Sequence, residues 1–262
     1  MTREVFLLDI TDFRPLDSSK PKKFLDWITR ALRTSEASDT APEENDSSAL
    51  QAGSSSGGQS GIQLIGAWYA VGITGHEQFR AFSLYHCRGG WRGGWLDMMK
   101  LYEGVPDSMF LSSIDNLRHT ARSVPLVAAP GSPTIADLAE PGPAGAFAMI
   151  EFAEAAPGMQ LEYLAAVRVS RAPILQDHGY RLAGLYEVAF SNTRTAVLWT
   201  LDLDSQVSYL EARDAARGLG EGPVDERIAR WEHEVTTFCS GEVQELYLAG
   251  YPGPLLSPHA EA

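Results

Sequence analysis

Only two cysteines, Cys87 and Cys239, occur in the 262 residues, and they stand far apart in the chain. There is no Cys-x-x-Cys pair and no closely spaced His/Cys cluster, which argues against a structural zinc site and favours two free thiols in a reducing compartment. No apolar run approaches the roughly 18 residues that a membrane-spanning helix requires. The sequence therefore predicts a protein without a membrane span.

Basic residues are also scarce, since Lys and Arg number 21 against 34 Asp and Glu, which gives a formal net charge of −13. Such a surface repels phosphate backbones and anionic lipids, so nucleic acid and membranes are poor candidates as partners. The first ten residues carry acidic side chains where a signal peptide needs a continuous apolar stretch. Together with the free thiols, this predicts a cytoplasmic protein.

One short pattern occurs twice along the chain. Residues 64–71 (LIGAWYAV) match residues 182–189 (LAGLYEVA), with leucine, glycine and an aromatic residue at the same spacing. In each half a strand and an amphipathic helix precede this segment, and an aromatic-rich strand, helical segments and a short strand follow it. The last of these in the first half, Val124 to Ala128, is bounded by prolines and predicts an edge strand. The order β-α-β-β-α-β is that of the ferredoxin-like module.

Two such modules in one chain predict an α+β fold with the sheets packed against each other. A four-stranded sheet with helices on one face leaves its other face apolar, and a second sheet removes that face from water. We therefore expect a pseudo-dimeric α+β barrel. Its parts are a first repeat over 1–129 with a disordered insertion at 34–61, a linker over 130–145, a second repeat over 146–254 and a tail over 255–262.

The repeated segments resemble those of the dimeric α+β barrel superfamily and, within it, of the NIPSNAP family. The resemblance rests on residues 64–71 with 82–85, and on residues 184–188 with 197–199. It departs from the family pattern where Tyr85 stands in place of the second half's Trp199. The resemblance implies the fold. The wider superfamily includes cofactor-free monooxygenases, decarboxylases or cyclases of polyketide-like substrates, and haem enzymes.

Four aromatic residues on the repeated strands are candidates for binding a substrate. Strict alternation places Trp68 on the same face as Leu64, and it gives Tyr186 the equivalent position in the second half. Phe82 and Trp199 occupy the partner strands. These side chains either line a pocket for an apolar ligand inside the barrel or fill the barrel as core.

Two histidines are candidates for proton transfer. His86 ends the second strand of the first half, and His178 precedes the corresponding hairpin of the second half. An unperturbed imidazole titrates near neutral pH and can serve as a general base. The alternative for His86 is a strand-end residue bonded to backbone or water, and the alternative for His178 is a turn residue.

The sequence thus predicts a cofactor-independent enzyme that binds a small apolar or aromatic molecule in the barrel. Proton transfer would drive an isomerisation, a cyclisation or an oxygenation of the monooxygenase type. The alternatives are a non-catalytic protein that binds a small molecule or a partner, and a haem-dependent enzyme with one histidine on the iron. The internal pairing of modules allows a monomer, and the resemblance to the superfamily allows a homodimer.

Overall fold

The structure is a computed structural model. It describes residues 3–13, 20–26, 62–70, 80–96, 119–139, 146–252 and 255–256. The predicted insertion at 34–61 lies outside these ranges.

Eight strands of the described chain form one closed barrel. Four belong to the first module and four to the second. They are β1 (Val5–Asp12), β2 (Ile62–Ala70), β3 (Arg80–Cys87), β4 (Thr120–Ala128), β5 (Phe147–Ala155), β6 (Arg181–Val188), β7 (Arg194–Leu201) and β8 (Cys239–Gly250).

The strand order around the barrel is β1-β3-β2-β8-β5-β7-β6-β4, and every neighbouring pair is antiparallel. Each module contributes four contiguous strands in the same internal order, and the two sheets join where β2 meets β8 and where β4 meets β6. The predicted α+β fold of two paired ferredoxin-like modules is confirmed. The predicted edge strand is wrong, because β4 has β1 on one side and β6 on the other.

Helices cover the outside of the barrel. Helical residues 20–26 (α1) and 90–96 (α2) belong to the first module. The others are α3 (Ile135–Ala139), α4 (Gln160–Ala166), α5 (Ala172–Asp177), α6 (Leu203–Ala216) and α7 (Glu226–Phe238). Asp202 and Asp225 start α6 and α7, since their carboxylates accept backbone N–H groups of the first turn at 2.8 and 2.9 Å. No helix of the described ranges is long and apolar enough to cross a membrane.

A π-helical turn, Val167–Arg171, joins α4 to α5. The sequence predicts one helix over residues 159–175 that Pro173 closes or kinks. Pro173 instead lies in the first turn of α5, directly after the π turn. A proline cannot donate the hydrogen bond of a continuous α-helix. The wider turn accommodates this loss, and it carries Arg171 to a buried position.

In most strands both faces are buried, and this explains their nearly continuous apolar sequences, whereas the first halves of β4 and β8 are largely exposed. In β7, Ala196 and Leu198 belong to the cluster inside the barrel, whereas Val197 and Trp199 belong to the cluster beneath the helices of the second module. A third cluster lies beneath α1 of the first module. The aromatic and β-branched residues of the strands suit such two-sided burial.

The repeated glycines mark one β-bulge in each module. The register shifts between Leu64 and Gly66 in β2, and between Leu182 and Gly184 in β6. A bulge adds one residue to one strand and reverses the alternation beyond it. Leu64 therefore packs with the outer cluster while Trp68 lies inside the barrel, which corrects the expectation that the two share a face.

The glycines also make room for the aromatic rings two residues later. A Cβ atom on Gly184 would lie 2.2 Å from the phenol of Tyr186, and a Cβ atom on Gly66 would lie 2.0 Å from the indole of Trp68. Each ring thus folds back over the glycine of its own strand. This contact explains why the spacing Gly-x-aromatic occurs in both halves.

We expect Gly184→Ala to lower the free energy of unfolding by about 1–3 kcal/mol, because an added methyl group would overpack the ring of Tyr186. Urea denaturation measures the loss. Gly222→Ala is the matched control, since its nearest neighbour would be a methyl group at 3.7 Å. Equal denaturation midpoints for the two variants would contradict the close packing of ring on glycine.

The connection between the modules contains a short helix. The described part of the predicted linker, residues 130–139, contains the short helix α3, and residues 140–145 lie outside the described ranges. Leu138 of this helix is buried in the interior cluster. Leu256, which follows the fourth strand of the second module, is also buried in that cluster.

Candidate functional site

The interior of the barrel brings together three of the four predicted aromatic residues. Trp68, Phe82 and Tyr186 are each at most 1% exposed and belong to the same cluster. Trp68 and Tyr186 border a cavity of about 10 Å³, which is the space of about one water molecule. The side chains fill this interior, so these aromatic residues form a core and do not line an open pocket.

Two polar atoms in this apolar interior have no hydrogen-bond partner among the described residues. They are the indole Nε1 of Trp68 and the hydroxyl of Tyr186. Burial and the nearby Glu4 carboxylate raise the pKa of Tyr186, so its hydroxyl keeps its proton at neutral pH. Both groups are hydrogen-bond donors. Leaving such a group unsatisfied costs about 1–3 kcal/mol.

Trp199 does not join these three residues. It lies on the opposite face of β7, in the cluster beneath the helices of the second module. Its register partner is Met149 of β5, just as the partner of Tyr85 is Leu7 of β1. Trp199 and Tyr85 are thus equivalent in the two modules, and the structure corrects the expectation that Trp199 shapes the interior.

His86 lies at the end of β3 with its ring toward the barrel interior. The ring packs against Phe6 at a centroid distance of 5.1 Å, and Phe6 contacts Tyr186 at the same distance. Its Nδ1 is buried without a hydrogen-bond partner in the described ranges. Burial and the charge of Arg88 lower the pKa of His86, so the imidazole is neutral at pH 7.

Glu4 precedes β1 and faces the same end of the barrel. Its Oε1 lies 3.9 Å from Nε2 of His86. Burial raises the pKa of Glu4, the nearby backbone N–H of Ile135 opposes this shift, and the charge of Asp137 raises the pKa further. The carboxylate therefore lies between the histidine and α3. We call Glu4, Phe6, His86 and Tyr186 the mouth cluster.

His178 lies outside the barrel. Its side chain is partly exposed, its Nδ1 is 2.8 Å from the hydroxyl of Ser208 in α6, and its ring contacts Tyr209. Tyr209 belongs to the cluster beneath the helices. The structure therefore does not bring His178 together with His86, and the turn interpretation describes its position.

A buried ionic network in the second module escaped the sequence analysis. Arg171 Nη2 lies 3.1 Å from Oε2 of Glu151 and also pairs with Oε1 of Glu245. Arg213 Nη1 lies 3.0 Å from Oε2 of Glu245, and the hydroxyl of Tyr163 donates to Oε1 of Glu151. Glu151 is fully buried and Arg171 is 4% exposed.

The network joins two carboxylates to two guanidinium groups, so its formal charges cancel. Burial raises the pKa of Glu151, although the guanidinium of Arg171 opposes the shift. Burial also acts to raise the pKa of Glu245, but the guanidinium groups of Arg171 and Arg213 hold it below its ordinary value. Glu151 stands inside the apolar run of β5, and a charged residue within a strand that is buried on both faces is the signal that could have revealed the network.

Solved structures of other proteins share this fold over nearly their whole length. No family model and no curated protein matches this chain. The solved structure of an anthrone oxidase-like protein covers 100% of this chain and 97% of its own, with 14% identity and a TM-score of 0.58. A proposed monooxygenase from Fusobacterium nucleatum covers 95% of this chain and 93% of its own, with 9% identity and a TM-score of 0.54.

These likenesses place the chain in the dimeric α+β barrel fold. An uncharacterised NIPSNAP domain protein from Burkholderia xenovorans covers only 39% of this chain and 92% of its own, with 14% identity and a TM-score of 0.31. The narrower resemblance to NIPSNAP proteins therefore stays a prediction. Within the described ranges, no group of three or more His, Cys, Asp or Glu side chains could hold a metal ion.

Proposed function

We propose that this protein is a small-molecule enzyme that acts on an apolar or aromatic substrate at the interior end of the barrel, with His86 as the general base and without a bound cofactor. The observation that carries the proposal is a pair of unsatisfied donors, Trp68 Nε1 and the Tyr186 hydroxyl, on two residues that border an apolar cavity. A ligand with oxygen acceptors would satisfy both donors and recover their desolvation cost.

Substrate binding requires the interior to open. Pockets for small molecules usually have roughly 300 Å³ or more, whereas the cavity here has about 10 Å³. The rings of Trp68 and Tyr186 lie directly on the glycines of their own strands, so these rings would have to be displaced from the glycines to make room for a substrate.

The chemistry that these groups support is proton abstraction. Neutral His86 accepts a proton from an acidic carbon or a phenol of the substrate. The protonated hydroxyl of Tyr186 then donates a hydrogen bond to the oxygen on which negative charge develops. One ring, that of Phe6, separates His86 from Tyr186, so a fused aromatic substrate would reach both. An anthrone oxidase-like protein and a proposed monooxygenase share the fold, and this supports a panel of anthrones and related phenols tested with dioxygen as the oxidant.

The test compares anthrone with dihydroanthracene, which has the same ring skeleton and no carbonyl group. We expect the wild type to bind and turn over anthrone. Trp68→Phe and Tyr186→Phe should each weaken anthrone binding about 5–10-fold, since each keeps its ring and removes one hydrogen bond. Binding of dihydroanthracene should not change. Isothermal titration calorimetry measures the affinities, and oxygen uptake measures turnover.

Trp199→Phe is the matched control. Its Nε1 is also buried without a partner in the described chain, but it lies on the outer face of β7. It should bind anthrone as the wild type does. Equal losses in Trp199→Phe and Trp68→Phe would contradict an interior site, and the absence of turnover across the whole panel would contradict the enzymatic role.

The filled interior favours a second candidate, a non-catalytic protein that binds a small molecule or a partner on the same scaffold. The same experiment distinguishes it, because that protein would bind anthrone without consuming oxygen. A haem-dependent enzyme, the third alternative from the sequence, stays a prediction.

A further inference from the structure

One row of side chains crosses the barrel interior at the end that His86 occupies. In the strand register, Phe6 of β1 lies opposite His86 on one side, and Gln63 of β2 lies opposite it on the other. Directly opposed residues of an antiparallel pair project from the same face of the sheet. Phe6 belongs to the interior cluster, so the imidazole of His86 also projects from the interior face.

Glu4 occupies the next position on the same face. Its carbonyl oxygen accepts the N–H of Ala128 at 2.9 Å, so it extends the ladder between β1 and β4 by one residue. It stands two residues before Phe6, and residues two apart in a strand share a face. Its carboxylate Oε1 lies 3.9 Å from Nε2 of His86. This is the distance of an ion pair, and it exceeds that of a hydrogen bond.

The two ring nitrogens of His86 have different surroundings. Nε2 faces the carboxylate of Glu4, whereas Nδ1 is buried and has no hydrogen-bond partner in the described part of the chain. A neutral imidazole carries one proton, and an ionised carboxylate accepts hydrogen bonds but donates none. The partner of one nitrogen sets the tautomer of the ring. The surroundings therefore place the proton on Nε2 and leave a free lone pair on Nδ1.

The second module has no such pair at the equivalent positions. The register between β5 and β7 makes Thr200 the equivalent of His86. Ala146 is the equivalent of Glu4, because its carbonyl accepts the N–H of Gly250 at 2.7 Å, just as the carbonyl of Glu4 accepts an N–H of β4. The same barrel therefore forms with a hydroxyl and a methyl group in one module and with an acid–base pair in the other. The fold itself does not require the pair.

Two charged groups lie beside the imidazole. Arg88 follows β3, and its charge lowers the pKa of His86. Glu4 acts in the opposite sense, because a nearby negative charge favours the imidazolium form. Two further titratable groups, Tyr186 of β6 and Asp137 of α3, lie near Glu4. Removal of the Glu4 carboxylate should therefore lower the pKa of His86 further.

We propose that Glu4 is a positioning residue that keeps the proton of neutral His86 on Nε2 and leaves Nδ1 as the nitrogen that accepts the substrate proton. This role rests on the proposed function, in which His86 is the general base. The substrate proton moves to Nδ1, and its electron pair stays on the substrate, whose charged oxygen Tyr186 stabilises. The ring becomes positive, and the carboxylate of Glu4 stabilises it from the Nε2 side. Such contacts are often long without substrate and shorten in the complex.

Nitrogen-15 NMR of the full chain without ligand tests this assignment. The neutral ring of His86 should carry its proton on Nε2. Glu4→Gln removes the negative charge but keeps the shape, so it should lower the pKa of His86, and Glu4→Ala should do the same. Glu4→Asp keeps the charge and should leave the pKa close to that of the wild type.

Glu187→Gln is the matched control. It also removes one carboxylate at this end of the barrel, and the carboxylate pairs with Arg3. Glu187 follows Tyr186, which belongs to the interior cluster, so the side chain of Glu187 projects from the outer face of β6. The pKa of His86 should therefore be the same in Glu187→Gln as in the wild type.

Turnover of the anthrone that the wild type converts provides the kinetic test. Glu4→Gln should lower kcat/KM about 10–100-fold. It should also move the decrease of kcat/KM at low pH to a lower pH, because a base of lower pKa stays neutral there. An equal pKa of His86 in the wild type and in Glu4→Gln would overturn the proposal, and so would a neutral ring with its proton on Nδ1. If both NMR results hold but no anthrone is converted, Glu4 still sets the state of the ring and the proposed function is contradicted.

Discussion

Arg171→Met is expected to lower the free energy of unfolding by about 3–5 kcal/mol, because it removes one partner from a buried ion pair and leaves the other charge uncompensated. Glu151 is fully buried and receives its positive counter-charge from Arg171 at 3.1 Å. Methionine fills a similar volume, so the loss reports on the charge more than on packing. Urea denaturation at pH 8 measures the effect.

The surface pair of Arg217 and Glu232 provides the matched control. Both side chains are partly exposed, and the Nε of Arg217 donates to Glu232 at 2.9 Å. Exposed pairs contribute about 0–1 kcal/mol, so Arg217→Met should lose less than that. A loss below 1 kcal/mol for Arg171→Met as well would show that the buried network does not stabilise the fold.

The pH dependence of the loss identifies the responsible group. Burial already raises the pKa of Glu151, and removing Arg171 should raise it further. Protonation of Glu151 removes the buried charge, so the deficit of Arg171→Met relative to the wild type should shrink as the pH falls from 8 to 5. Adding Glu151→Gln to the variant should recover part of the stability at pH 8, where the carboxylate would otherwise be charged.

His86→Gln should lower kcat/KM about 10²–10⁴-fold for whichever anthrone of the panel the wild type converts, because a general base contributes an effect of that size. Glutamine preserves much of the shape and polarity of the ring but cannot accept the proton. His178→Gln is the control, since His178 lies on the outer side of the barrel against Tyr209, and this variant should leave turnover unchanged. A loss below tenfold for His86→Gln would remove this residue from the mechanism.

The pH profile of the wild type checks the same assignment. Burial and Arg88 lower the pKa of His86, so the active neutral form predominates at and above neutral pH. The value of kcat/KM should therefore be flat near pH 7 and fall as the pH drops through the lowered pKa. The residual kcat/KM of His86→Gln should not show this decrease at low pH.

The sequence by itself determined the modular architecture. The spacing of leucine, glycine and an aromatic residue at 64–68 and 182–186 reflects a local requirement, since each ring folds over the glycine two positions earlier. Such a requirement acts within a few residues, so it can be recognised in the sequence. The repeat followed from this spacing, the order of elements followed from the apolar patterns around it, and the pairing of the two sheets followed from the apolar face that each sheet would otherwise expose.

Only the tertiary structure decided which side chains meet. The bulges at Gly66 and Gly184 reverse the alternation of faces, and this depends on pairing with β3 and β7 rather than on the sequence of one strand. Trp68 consequently packs inside the barrel although Leu64, four residues earlier in the same strand, packs outside it. Periodicity alone assigns a residue to a face but does not state which face lies inside.

The mouth cluster and the ionic network depend on contacts between distant segments. Glu4 meets His86, and Arg171 meets Glu151 and Glu245, only because the barrel closes and the helices dock on it. Whether a charge or an indole N–H finds a partner is set by that closure, which no local pattern encodes. The sequence thus determined the two modules, and their packing determined the site.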